Sequence, residues 1–262
     1  MPDPTCSVLV VSCDRYSDLW QPFFSQFWRY WPDCPFPVYL GLNQERYRDA
    51  RVRVIQAGED RSWSSNLRSF LNQTDSTYVL LLLEDFFLSK AVQTGEVLRH
   101  LGALDALHGT MLRLVPNPPP NTRISAYSSF GSIHPSAPYR VSAQAAIWKR
   151  TGLLDVLDDR ENPWEFESNA TARSRLYRDG FFCSYRPLLP YRHVVERGEW
   201  FWSAARFYKK QNIGCDFEAR PVMTPTTALR KYINGRCRYW RDRISALRLI
   251  EGQRNSPGAA HG

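Results

Sequence analysis

A chain of 262 residues with net charge +8, 43% hydrophobic and 23% charged residues has the balance of a globular protein. That balance excludes disorder, collagen and coiled coil as the main architecture. The longest apolar runs, such as Tyr78–Leu83, fall well short of the roughly 18 residues a membrane-crossing helix needs. Nine Trp, 13 Tyr and 14 Phe supply rings beyond the needs of packing, which leans toward stacking on sugars or bases. Six scattered cysteines without a Cys-x-x-Cys pair read as reduced thiols rather than a zinc site or a disulfide frame. The N-terminal stretch has no basic segment ahead of its apolar run, so no signal peptide is expected and the predicted location is cytoplasmic.

In chain order, the apolar run Cys6–Ser12 predicts a strand buried on both faces. Leu19, Trp20, Phe23, Phe24, Phe27 and Tyr30 recur at helical spacing after Ser17 and Asp18 and stop before Pro32. Strands are expected at Val38–Leu42, Val52–Gln56 and Tyr78–Leu83, with a helix over Ser64–Asn72. A helix over Ala91–Leu107, closed by Gly109, leads into a strand at Thr110–Val115. Pro116, Pro118, Pro119 and Pro120 then predict an irregular loop over 116–138. Beyond it come a strand at Tyr139–Trp148, helices at Thr151–Leu157 and Trp164–Arg178, a strand at Phe181–Tyr185 and a helix at Glu199–Gln211. This rhythm predicts an α/β, Rossmann-like fold with a mixed, mainly parallel sheet flanked by helices, whose ligands gather at strand carboxyl ends.

Residues 228–254 hold eight basic side chains against Asp242 and Glu251, and so carry +6 of the total charge. Leu229, Ile233, Cys237, Trp240, Ile244 and Leu247 share one helical face there. The segment predicts a basic amphipathic helix, either lying on an anionic membrane surface or packed on the domain with a solvated face. The expected organisation is a catalytic domain over 1–222, with a nucleotide-sugar half (1–115) and an acceptor half (139–222), a helical extension over 223–254 and a disordered tail over 255–262.

No Gly-x-Gly-x-x-Gly, P-loop or Gly-x-Ser-x-Gly motif occurs, which removes the dehydrogenases, P-loop kinases and α/β-hydrolases. Phosphate must be held in another way, and a divalent cation gripped by carboxylates is the alternative. The strand ends offer Ser12, Asp14 and Arg15, then Asn43, then Glu84 and Asp85.

The runs Val10–Trp20 and Tyr39–Asn43, the Leu83–Leu88 block, Ala145–Trp148 and Asn162–Glu167 resemble glycosyltransferases of the GT-A type, in particular bacterial capsule and lipopolysaccharide enzymes. The resemblance covers most of residues 7–220. It implies a nucleotide-sugar donor and an acid motif after the fourth strand, usually Asp-x-Asp, that holds a metal and a ribose. Glu84-Asp85-Phe86 lacks the third-position acid, so either Asp85 alone carries the ion or the ion is dispensable. A late histidine enters the metal shell in several such enzymes, which makes His193 a ligand candidate beside Asp85, for Mn²⁺ or Mg²⁺. Arg192 and Arg197 are candidate diphosphate partners through bidentate contacts. Asp14, Arg15 and Tyr16 would meet the base and ribose, with Tyr16 stacked on the base. Asn66 and Arg68 would face the donor.

An acid at a helix start often takes the acceptor proton in this fold, so Glu167 is the first choice as base and Glu165 the second. Trp148, Trp164 and Trp200 are candidate acceptor platforms. The function implied is transfer of one sugar to a hydroxyl of a lipid-linked surface glycan at the inner face of the plasma membrane. No nucleic-acid partner is expected. A sugar nucleotidyltransferase is the second enzymatic reading, yet Ser12-Cys13-Asp14-Arg15 lacks the glycine-rich loop it expects. A polyanion-binding module is the non-enzymatic reading, and its affinity should collapse with salt.

Overall fold

A computed structural model of the chain describes residues 5–231 together with 233, 234, 241 and 244. Its first part runs β1 (Cys6–Val11), α1 (Trp20–Tyr30), β2 (Val38–Leu42), β3 (Val52–Gln56), α2 (Trp63–Asn72) and β4 (Tyr78–Leu83). Then come β5 (Phe86–Leu88), α3 (Thr94–Ala106), β6 (Met111–Arg113), β7 (Thr122–Ile124) and β8 (Tyr127–Ser132). The last part holds β9 (Ala146–Lys149), α4 (Arg150–Val156), α5 (Pro163–Arg173), β10 (Phe181–Ser184), β11 (Tyr191–His193), β12 (Val195–Glu196), β13 (Glu199–Trp200) and α6 (Trp202–Lys209).

Nine strands form one sheet in the order β3-β2-β1-β4-β9-β6-β10-β8-β7. Seven run in one direction, and β8 and β9 run against them. The predicted class, a mixed and mainly parallel sheet between helices, is the architecture observed. Every residue of β1 is buried, because alternate side chains feed two cores. Val8 and Val10 pack with Phe23, Phe24 and Phe27 of α1 on one face, while Leu9 and Val11 pack with Leu67, Phe70 and Leu71 of α2 on the other. Each such side chain contributes about 1.5–3 kcal/mol on burial. Gly41 in β2 allows that packing, since a Cβ there would stand 2.5 Å from the Phe70 ring.

The antiparallel pairing of β9 with β4 sets Ala146 opposite Leu81, so the chain entering β9 reaches the same sheet edge as the end of β4. The expected strand Tyr139–Trp148 is therefore mostly loop. Side chains take over its backbone bonds. Arg113 donates to the carbonyls of Tyr139 and Arg140, Thr171 both donates to and accepts from Val141, and Glu167 accepts the Ala143 N–H.

Other boundaries also differ from expectation. The loop over 116–138 contains the β7–β8 hairpin, which extends the sheet edge. The helix expected over Glu199–Gln211 is β13 followed by α6, and the helix expected to reach Arg178 ends at Arg173 with a 3-10 turn after it. Residues 225–231 are helical, and Lys231 pairs with Glu196 at 2.8 Å. Most of the basic amphipathic helix expected over 223–254, and all of the tail over 255–262, lie outside the described residues. Among the described residues no helix is long and apolar enough to cross a membrane.

Candidate functional site

A cavity of about 710 Å³ opens where β1 and β4 end. Its floor comes from Val11, Ser12, Leu83, Glu84 and Asp85, and its opposite wall from the starts of α2 and α5 and the segment before β9. Placing ligands at the carboxyl ends of parallel strands is the general behaviour of open α/β sheets.

The turn between β4 and β5 presents Glu84 and Asp85. Both are buried, at 8% and 9% exposure. Burial, and then the neighbouring Asp85, hold the Glu84 carboxyl well above the usual carboxylate range. Asp85 meets His193 through a ladder that links distant parts of the chain. β11 pairs antiparallel with β5, setting His193 opposite Phe86, and Val194 donates its N–H to the Asp85 carbonyl at 2.9 Å. His193 Nε2 then stands 2.9 Å from Asp85 Oδ2. Burial alone would lower the imidazole, but the charge and hydrogen bond of Asp85 outweigh it and hold His193 above its ordinary value. Asp85 Oδ1 is buried and has no hydrogen-bond partner.

On α5, Asn162 caps the helix by accepting from the N–H groups of Trp164 and Glu165 at 3.0 and 3.1 Å, and Glu165 accepts in return from the Asn162 N–H at 3.0 Å. This reciprocal cap with Pro163 at the first position fixes where the helix begins. It also commits the Glu165 carboxylate to the backbone. Glu167, two positions on, turns inward, where its Oε1 accepts the Ala143 N–H at 2.8 Å. Burial pushes the Glu167 carboxyl above the usual range, against smaller lowering by the Ala143 N–H, Arg113 and His193. Glu167 is thus a carboxylate with raised proton affinity in the wall of the cavity, the property a general base requires.

Two helix N-termini, at Ser62-Trp63 and Asn162-Pro163, border the same cavity, as do Arg15, Arg61, Arg160 and Arg197. The helix dipoles favour an anion, while Arg15, Arg61 and Arg160 are already paired with Asp60, Glu59 and Asp158. Arg197 occupies the β12–β13 turn with φ of 52° beside Gly198 at 81°, and its guanidinium lies 4.8 Å from the centre of the Trp164 ring. Trp164 is 46% exposed at the mouth.

Ser12, Arg15, Tyr16, Glu84, Asp85, His193, Arg197, Trp164, Glu165 and Glu167 therefore converge on one cavity. Asp14 and Asn43 lie outside its lining. The Asp14 carboxylate accepts the N–H groups of Asn43, Gln44 and Glu45, tying the loop after β1 to the loop after β2. Arg68 is likewise turned away, holding Asp159 and the carbonyls of Leu154 and Leu157. Arg192 stacks on Phe207, 4.2 Å from the ring centre, rather than entering the cavity. Trp148 and Trp200 are not acceptor platforms: both are fully buried, Trp148 against Phe181 and Trp200 against Phe87 and Phe217. A ring with no exposed face has nothing to offer a sugar.

Three residues at or behind the site carried no clear signal in the sequence. Asp60 accepts from Asn66 Nδ2 at 2.8 Å and pairs with Arg15 at 3.5 Å. Gln144 lines the cavity with its amide oxygen held by the Tyr191 hydroxyl. Arg220 lies behind Tyr16. None has a motif around it, and each is brought in by a contact distant along the chain.

For a cation the site leaves one free carboxylate oxygen, Asp85 Oδ1, because His193 Nε2 is already hydrogen-bonded to Asp85 Oδ2. Among the described residues no three His, Cys, Asp or Glu side chains cluster as a ligand set, so an ion here would take its remaining ligands from substrate oxygens and water.

No protein-family model matches the chain, and no curated protein matches it in sequence. Among solved structures, the 1–349 part of S. aureus TarS in complex with UDP-GlcNAc is similar over 74% of this chain and 59% of its own, with 14% identity and a TM-score of 0.46. A longer TarS structure is covered over 36% of its length. The galactosyltransferase LgtC, in complex with donor and acceptor sugar analogs, is similar over 85% of this chain and 88% of its own, with 10% identity and a TM-score of 0.38. A Drosophila β1,4-galactosyltransferase 7 complex with manganese, UDP-Gal and xylobiose is similar over 74% and 72%, with 12% identity and a TM-score of 0.35.

Proposed function

We propose that this chain is a glycosyltransferase that moves a sugar from a nucleotide-sugar donor to a hydroxyl of a glycan or glycolipid acceptor. The observation that carries the reading is one cavity holding two separated acidic centres, the Asp85–His193 pair at the sheet end and Glu167 on the facing wall. The nucleotide lies over the loop after β1, its base on Tyr16 and its diphosphate toward Arg15, Arg197 and the two helix N-termini. Asp85, through its free Oδ1, and His193 would hold a divalent cation, Mn²⁺ or Mg²⁺, which would supply charge neutralisation at the diphosphate.

Glu167 takes the proton from the attacking hydroxyl. Its raised proton affinity suits it to that role, and Ala143 N–H fixes the carboxylate while the reaction proceeds. A candidate base is what favours an inverting transfer, in which one carboxylate deprotonates the attacking hydroxyl. Glu165 is set aside as the base because the helix cap occupies it. Trp164 at the mouth offers the acceptor a ring face.

The basic segment 228–254 gives a means of holding the enzyme at an anionic, cytoplasmic membrane face where a lipid-linked acceptor would be met. The catalytic domain is taken as residues 1–222, with a donor half over 1–115, joined at the diphosphate by His193 and Arg197, and an acceptor half over 139–222.

Thermal unfolding against UDP, GDP, CMP, dTDP and their sugars, each with and without Mn²⁺, tests the donor part, because a ligand of the native state raises the midpoint. A selective shift that needs Mn²⁺ and is lost in Asp85→Asn supports the reading. Unchanged midpoints throughout would count against it.

A further inference from the structure

Residues following α6 return to the nucleotide end of the cavity. They are pinned on β13: Trp200 donates its N–H to the Pro221 carbonyl at 2.8 Å, and Met223 donates its own to the Trp200 carbonyl at 2.9 Å. Arg220 is thereby carried beneath the 3-10 turn Asp14–Leu19. Its Nε and Nη2 donate to the two Asp18 carboxylate oxygens at 2.8 and 2.7 Å, across 202 residues of sequence. Nη2 donates also to the Arg15 carbonyl. The guanidinium carbon lies 4.1 Å from the centre of the Tyr16 ring. With these contacts made, the side chain is only 10% exposed, so it is committed to the turn. Tyr16 is the one residue of that turn whose backbone leaves helical angles, at φ −113° and ψ 17°, and its side chain lines the cavity.

We propose that Arg220 is a positioning residue for nucleotide binding, backing one face of the Tyr16 ring so that the other stands in the cavity as a preformed platform for a nucleobase. The inference rests on the nucleotide-sugar reading above and adds a residue and a chain segment to it. A loose ring must be ordered when a base stacks on it, and that ordering subtracts from the affinity. A guanidinium fixed by a carboxylate and a carbonyl holds the ring in advance and adds a cation–π contact from behind. Base–aromatic stacking is substantial for any base, so the platform by itself does not choose among them.

The test is calorimetric titration of the full chain with UDP and with inorganic pyrophosphate, both in Mg²⁺. Arg220→Met is expected to weaken UDP about ten-fold and pyrophosphate less than about two-fold, since only the former carries a base. Tyr16→Phe, which keeps the ring, is expected to lose less UDP affinity than Tyr16→Leu. Tyr16→Leu should lose as much as Arg220→Met, and the double variant should lose no more than Tyr16→Leu alone, because the two residues act through one platform. Equal weakening of both ligands, unchanged UDP affinity or additive losses in the double variant would overturn the role. Arg220→Lys keeps a cation but loses the two-pronged hold on Asp18, and it carries the same comparison if Arg220→Met does not fold. Wild-type protein indifferent to UDP, GDP, CDP and dTDP alike overturns the nucleotide reading itself, whereas UDP binding insensitive to Arg220 overturns only this role.

Discussion

Two walls face each other across the cavity, and they are made of different materials. The sheet wall places Glu84 and Asp85 at 8% and 9% exposure on a short turn between two paired strands, with His193 held across a ladder. The outer wall places Trp164 at 46% exposure on the first turn of α5 and Arg197 on a two-residue hairpin turn. The two carboxylates of the sheet wall stand on paired backbone and are buried, while His193 beside them has its side chain 42% exposed. Groups that meet a larger and more varied molecule are set on a helix start and a hairpin tip. Glu167 belongs to α5 in sequence but to the buried side in behaviour, because its carboxylate is anchored on the Ala143 backbone.

The comparison can be broken most severely at the tryptophans. Trp148→Ala removes a ring fully buried against Phe181 and is expected to cost about 3–5 kcal/mol of stability, read as a lower urea midpoint. A change below about 1 kcal/mol would show that the ring is not the core element its burial describes.

Next in size is Glu167→Gln, which keeps shape and burial but removes the base. Turnover is expected to fall by about 10²–10⁴ with little loss of donor affinity. The pH profile sharpens the point. Burial raises the Glu167 proton affinity, the working form is the carboxylate, and so the rate falls as pH drops through a midpoint above that of an exposed glutamate. An acid limb at the ordinary carboxylate position, or one that persists in Glu167→Gln, would assign the base elsewhere.

The smallest effect is expected at the mouth. Trp164→Leu should raise the acceptor KM by roughly ten-fold and leave the donor KM and the unfolding midpoint nearly unchanged, since the ring is half exposed. A matching rise in the donor KM would erase the division between the walls.

The sheet wall was legible in the sequence because its signals are local. β2 and β4 lie at the residues where unbroken apolar runs placed them, β3 lies at the predicted Val52–Gln56, and Glu84-Asp85 follows the most apolar strand. The family resemblance brings Asp85 and His193 together only as ligands of one metal, and the structure sets them 2.9 Å apart in a direct hydrogen bond through a β5–β11 ladder with no local signature. The β7–β8 hairpin was hidden by the preceding prolines and by its position at the sheet edge, where its residues are largely exposed and need no apolar alternation. Tyr139–Ala145 has the composition of a strand, but Arg113, Thr171 and Glu167 satisfy its backbone instead. Tryptophans are the hardest to read, since a ring in the core and a ring that holds a sugar look alike until burial separates Trp148 and Trp200 from Trp164.

Release of nucleoside diphosphate from a panel of nucleotide-sugars, followed in Mn²⁺ with oligosaccharide and glycolipid acceptors, tests the central claim most directly. The account predicts acceptor-dependent release from one donor by the wild type, reduced by about 10³-fold or more in Asp85→Asn and stopped by chelation. No release from any donor, or release by Asp85→Asn or Glu167→Gln equal to that of the wild type, would contradict it.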